Sequence, residues 1–155
     1  IVICESTFGL EGILVEEGPL TARTPSEKEC EDIRYGWDVA EAIGRLDIGQ
    51  CVVIKDRVVV AVEAVEGTDE AIKRGGDLAK DGAVVVKRSK PQQDMRFDLP
   101  AVGPRTIEVM ASVKASVLAI EAGRTILLDR ELMLEKAKSA RIAIVGIKTG
   151  VMGEP

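Results

Sequence analysis

The sequence predicts an α/β fold, a mixed β-sheet with packed helices forming a single domain plus an N-terminal arm. Three observations carry this. Short Val- and Ile-rich runs alternate along the chain with longer segments of helical periodicity. Two of those runs are separated only by Lys55-Asp56-Arg57, which predicts a hairpin and therefore an antiparallel pair in the sheet. At 155 residues, with 46% apolar and 30% charged side chains, the chain suits one domain with a substantial core.

Residues 1–24 read as an arm or interdomain linker, with short apolar runs at 1–4 and 8–15 and a turn at Gly18-Pro19-Leu20-Thr21. The domain occupies residues 25–150. Thr24-Pro25-Ser26-Glu27 has the form of a capping box, Thr24 and Glu27 satisfying free amides and Pro25 taking the first helical position. Cys30, Ile33, Trp37, Ala40 and Gly44 then mark one face of a helix reaching Leu46, with Trp37 in the core and Asp38 and Glu41 on the solvated side. Residues 51–54 and 58–62 form the hairpin, whose continuous Val run predicts a strand covered on both faces.

Gly67 permits a tight turn, Thr68 is the expected N-cap of a helix to Ala79, and Asp69 and Glu70 suit its positive end. A buried strand follows at 82–87. Beyond a long loop, a helix starts at Gly103-Pro104 and runs to Lys114. Strands are expected at 116–120 and 124–128, then a helix capped by Asp129 to Ala140 and a last strand at 141–147. The Gly-rich tail is expected to fray.

Composition narrows the chemistry. With 21 Lys and Arg against 26 Asp and Glu the formal charge is -5, so neither nucleic acid nor an anionic membrane surface is broadly attracted. Aromatic residues make up only 3%, too few for a base-stacking platform. The chain has no His, and Cys4, Cys30 and Cys51 form no Cys-x-x-Cys pair. Zinc sites, Ser-His triads and Cys-His dyads are thereby largely excluded, and the cysteines read as small hydrophobes of a reducing cytosolic protein. Catalysis would fall to carboxylates, Lys, Arg, hydroxyls or a hard metal ion. Gly67, Gly75 and Gly76 match neither a Walker loop nor a dinucleotide fingerprint. No apolar run is long enough for a membrane span, and no secretory leader pattern is present. The chain opens on Ile1 inside an apolar stretch, so an N-terminal part is expected to be missing.

Residues 88–106 hold Pro91, Pro100 and Pro104, Gly103, four cations (Arg88, Lys90, Arg96, Arg105) and two carboxylates, Asp94 and Asp98. Neither helix nor regular strand persists through such a run. Met95, Phe97, Leu99 and Val102 supply apolar anchors that a solvated linker lacks. Asp94 and Asp98 with Arg96 between them can set two hard oxygen ligands and a cation beside one phosphate, although this pattern is more often a surface ion pair. The sharper reading of the 66–70 bend is that Glu66 and Asp69 help position a metal while helix amides meet a phosphate; the plainer one is that its acids complement the helix dipole. Both loops follow strands and are expected to meet at one sheet edge.

Gly36-Trp37-Asp38-Val39-Ala40, Leu46-Asp47-Ile48-Gly49-Gln50, Ala64-Val65-Glu66-Gly67-Thr68-Asp69, the block from Lys90 to Pro100, Gly103-Pro104 and Glu121-Ala122-Gly123 together resemble the C-terminal domain of the LpxI family. These are UDP-2,3-diacylglucosamine pyrophosphatases of lipid A biosynthesis in Gram-negative bacteria. The resemblance implies Mg²⁺-dependent or other divalent-cation-dependent hydrolysis of UDP-2,3-diacylglucosamine to UMP and 2,3-diacylglucosamine 1-phosphate (lipid X), with water directed at the β-phosphorus. It implies an N-terminal domain, absent from this chain, that shares the site, and a cytoplasmic protein peripheral to the inner membrane. A homodimer is compatible with it.

Carried over residue by residue, Asp94 and Asp98 would bind metal or activate water, and Arg96 and Lys90 would neutralise phosphate charge. Glu66 and Asp69 would complete the metal shell. Thr68, Gly67, Gln50, Gln93 and Arg105 would contact substrate. The alternative is a noncatalytic nucleotide-sugar or lipid-phosphate binding module, distinguished by binding that a chelator leaves intact; a purely structural domain would bind no phosphate.

Overall fold

The computed structural model describes residues 11–93 and 99–149. A 3-10 turn at Glu11–Ile13 leads to strand β1 (Gly18–Pro19) and helix α1 (Glu27–Arg45). The hairpin β2 (Cys51–Lys55) and β3 (Val58–Val62) follows, then α2 (Thr68–Ala79), β4 (Val84–Lys87), β5 (Ala101–Val102) and α3 (Pro104–Ser112). Last come β6 (Val117–Glu121), β7 (Ile126–Leu127), α4 (Arg130–Ala140) and β8 (Ala143–Ile147). The mixed α/β architecture expected from the alternating pattern is what forms.

Six strands make one sheet in the order β1-β8-β6-β4-β2-β3, while β5 and β7 pair as a separate parallel ribbon. Strands β4, β6 and β8 are parallel, β2 is antiparallel to β4, and β3 is antiparallel to β2. The carboxyl ends of β3, β4, β6 and β8 therefore share one edge with the start of β2. Because α2 follows β3, its N-terminus lies at that edge too.

Helix α1 covers one face, packing Ile33, Trp37, Ala40 and Ile43 on Val52, Ile54, Val84 and Val86. A Cβ at Gly36 would stand 2.7 Å from Val86 Cγ2, so glycine there lets the helix approach the sheet. On the other face Ile72, Ile107, Met110 and Met133 bring α2, α3 and α4 against Val53, Val85, Leu118 and Ile144. Burying each such aliphatic side chain contributes about 1.5–3 kcal/mol relative to exposure. With both faces covered, the central strands read as unbroken apolar runs.

Several local expectations are corrected. Gly18–Pro19 is a strand rather than a turn, pairing antiparallel with Gly146 and Val145. The N-cap of α1 is Ser26, whose capping box closes with Glu29 instead of the Thr24 and Glu27 pair. Arg23 decides between the two frames by bridging Glu29 at 2.6 Å. The Val-rich strand β3 is an edge strand with an exposed Val58, and the doubly covered strands are β2, β4 and β6. Gly67, not Thr68, occupies the N-cap position of α2. Asp129 does precede α4, but with φ 47 and no side-chain cap bond. The segment expected as a strand at 124–128 contributes only Ile126–Leu127, to the separate ribbon.

Candidate active site

Residue by residue, the carboxyl edge collects most of the polar groups that are buried. Glu63, Lys87, Arg88, Ser89, Glu121 and Thr125 are all less than a tenth exposed, and all sit at or just past strand ends there. The register sets them in rows. Cys51 lies between Lys87 on β4 and Glu63, whose N–H donates to the Cys51 carbonyl. Burial pushes the Cys51 thiol up to about 12, which removes it as a nucleophile or metal ligand.

Glu63 organises the first bend. Its carboxylate accepts from the Gln50 N–H at 3.2 Å and from the Thr68 hydroxyl at 2.8 Å, tying the start of β2 to the start of α2. Thr68 is thus spent on Glu63 rather than on capping its own helix. Glu66 turns outward to Arg74 at 2.5 Å, and hydrogen bonding to that guanidinium holds its carboxyl below the usual range. Asp69 Oδ2 stands 2.9 Å from Arg105 Nε at the start of α3. The bend at 66–70 and the far end of the 88–106 segment therefore touch.

The near end of that segment is fixed by α1. Arg88 reaches Glu41 at 2.6 Å and lies over the Trp37 ring, 5.0 Å from its centroid. Glu41 is thus not a solvated outer residue as expected, and hydrogen bonding to Arg88 lowers its carboxyl pKa. Lys90 pairs with Asp47 at 2.7 Å, and Gln92 donates to the Gly44 carbonyl at 2.8 Å. Gln93 accepts from the Lys90 N–H at 3.1 Å through its side chain. Asp94, Arg96 and Asp98 lie outside the described residues.

Glu121, the last residue of β6 and the first of the Glu121-Ala122-Gly123 block, is 1% exposed, and the sequence assigns it no role in the site. It accepts from the Ser89 N–H at 2.8 Å and from the Thr149 hydroxyl, joining the ends of β4, β6 and β8. Among the described residues, three buried polar atoms have no hydrogen-bond partner: Gln50 Oε1, Ser89 Oγ and Thr125 Oγ1. All three lie at this edge. A buried polar atom left unpaired costs about 1–3 kcal/mol, so such a cluster marks a place where stability has been traded for something else. The sequence signal that could have found these residues is a polar residue directly terminating an apolar strand, as in Val-Val-Val-Lys87 and Leu-Ala-Ile-Glu121.

The family model of the LpxI C-terminal domain matches residues 16–145. The chain belongs to the LpxI C-terminal domain family. A curated relative, the UDP-2,3-diacylglucosamine pyrophosphatase LpxI of Caulobacter vibrioides, is 37% identical over 138 residues. That match covers 84% of this chain and 49% of the relative, so the chain spans about half the length of the LpxI protein it matches. In this LpxI domain, no group of three acidic or thiol side chains among the described residues stands close enough to hold a metal ion. The donors that gather at the edge are carboxylate, amide and hydroxyl oxygens, a set suited to a hard cation and unsuited to zinc or copper.

Proposed function

We propose that this LpxI domain hydrolyses the pyrophosphate of UDP-2,3-diacylglucosamine, releasing UMP and 2,3-diacylglucosamine 1-phosphate in lipid A biosynthesis. The observation that carries the reading is the 37% identity to a protein named for that activity. The concentration of buried, partly unpaired polar groups at one sheet edge supports it. Ligands of open α/β sheets bind beyond the carboxyl ends of the strands.

In the proposed reaction a water oxygen forms a new bond to phosphorus, the bridging P–O bond breaks, and UMP leaves. Asp94 and Asp98 supply the general base and ligands for Mg²⁺ or another divalent cation, with Asp69 contributing from the neighbouring bend. The bound cation would supply charge neutralisation on the diphosphate. Glu66 belongs to the same set only after leaving Arg74. Lys90 and Arg96 offset charge developing on the phosphoryl oxygens. Lys90 would exchange its ion pair with Asp47 for one with substrate. Gln50, Gln93, Thr68, Arg105 and the Gly67 backbone orient the nucleotide-sugar.

The domain would act together with the N-terminal half of a longer LpxI protein, in the cytoplasm at the inner-membrane surface. No helix among the described residues is long and apolar enough to cross a membrane. The test is incubation of the full-length protein with UDP-2,3-diacylglucosamine and Mg²⁺, with and without chelator. UMP and lipid X should form only in the chelator-free reaction. Substrate binding without turnover, unaffected by chelator, would instead establish a binding module.

A further inference from the structure

The cations singled out by sequence are already occupied where they are described: Lys90 by Asp47 and Arg105 by Asp69. Lys87 is different. It ends β4, is 6% exposed, and its ammonium makes one hydrogen bond, to the Ala101 carbonyl at 3.0 Å, with no ion pair among the described residues. An ammonium has three donors, and a buried one without a counter-charge is costly. The acid beyond its register neighbour Cys51 is Glu63, whose two oxygens already accept from Gln50 and Thr68.

An unpaired hydroxyl follows just past the same strand. Ser89 is two residues past Lys87, 4% exposed, with its N–H held by Glu121 and its Oγ without a partner. One charged donor and one neutral one thus stand two residues apart at the end of β4. Their chemistry is complementary to an oxyanion.

We propose that Lys87 and Ser89 form the contact for a phosphoryl group of the ligand, with Lys87 making the charged contact and Glu121 acting as a positioning residue that fixes Ser89. This deepens the pyrophosphatase reading by naming residues for its phosphate contact. In that role the buried groups are completed only when ligand is bound, and their removal relieves the free protein while damaging the complex.

The test uses Lys87→Met and Ser89→Ala in the full-length protein, with inorganic pyrophosphate as the probe. Melting temperature without ligand, pyrophosphate affinity and turnover of UDP-2,3-diacylglucosamine are each measured. Both variants should melt at or above the wild-type temperature and bind pyrophosphate at least tenfold more weakly. Wild-type affinity in Ser89→Ala and in any folded Lys87→Met overturns the proposal, as does absence of pyrophosphate binding by the wild type. If Lys87→Met does not fold, Ser89→Ala decides alone. Turnover separates the two levels. Lys87- and Ser89-dependent binding without turnover sinks the pyrophosphatase reading and keeps this contact, whereas normal turnover and normal binding in the variants does the reverse.

Discussion

The two ends of the sheet are built to different rules. At the end carrying the β2–β3 turn, polar groups find protein partners. Asp56 and Arg57 take positive φ, and their N–H groups donate to the buried Asp32 carboxylate at 3.1 and 2.6 Å. Lys28 pairs with Asp56, and Lys55 reaches Asp81. At the carboxyl end more of the polar residues are buried, yet among the described residues Gln50, Ser89 and Thr125 keep unpaired atoms and Lys87 lacks a counter-ion. One end spends its polar groups on holding the hairpin to α1; the other holds some in reserve. The difference teaches where a ligand belongs, because only an added partner makes the second end as well satisfied as the first.

The comparison can be broken most forcefully at the carboxyl end. Substituting Ala for Asp94 or Asp98 in the full-length protein should lower kcat by a factor of about 10² or more while leaving the circular dichroism spectrum unchanged, as expected of a general base or metal ligand. Retained turnover in both variants would remove them from the chemistry.

At the opposite end the large effect should be on stability. Asp32→Ala strips two backbone N–H groups of a charged acceptor and should cost about 2 kcal/mol in urea denaturation, with little change in turnover. A kinetic defect as large as that of the Asp94 variant would erase the contrast between the two ends.

A smaller effect is expected where the carboxyl end is braced from α1. Glu41 has its pKa lowered by hydrogen bonding to Arg88, so its stabilisation is present above the ordinary glutamate pKa and disappears as pH falls through the lower folded value. Glu41→Gln should therefore cost about 1 kcal/mol at pH 7, and the gap to wild type should narrow steadily below about pH 4.5. A gap that widened with acid would refute the pairing. The least effect belongs to the exposed Lys28–Asp56 pair at the hairpin turn, where Lys28→Ala should leave the denaturation midpoint unchanged within error.

Much of the fold was legible because it depends on near neighbours in sequence. The stripe from Ile33 through Trp37 to Ala40 and the Asp56-Arg57 turn are local patterns, and both form. What escaped depends on partners far along the chain. Gly18–Pro19 is a strand only because Gly146 and Val145 lie beside it. Glu41 looks solvated on its own helix and is claimed by Arg88, 47 positions away. Overlapping Thr24-x-x-Glu27 and Ser26-x-x-Glu29 frames are equally good capping boxes, and the choice turns on a contact from Arg23.

The candidate site divides the same way. Family blocks pointed to Gln50, Thr68, Asp69 and Lys90, and the cations of the 88–106 loop to Arg105; the structure sets these around one edge, although Glu66 turns to Arg74. Lys87, Ser89 and Thr125 carry no motif, and Glu121 opens the Glu121-Ala122-Gly123 block with no site role attached to it. Their significance comes from burial and from hydrogen bonds not made, neither of which a linear pattern records.

The contrast between the two ends can be observed residue by residue by titrating the isotopically labelled full-length protein with pyrophosphate and following backbone and side-chain amide resonances. Shifts concentrated at Gln50, Thr68, Lys87 to Lys90, Glu121 and Thr125, with Asp32, Asp56 and Asp81 unmoved, are the predicted outcome. Shifts confined to the hairpin end, with the carboxyl edge silent, would contradict the account.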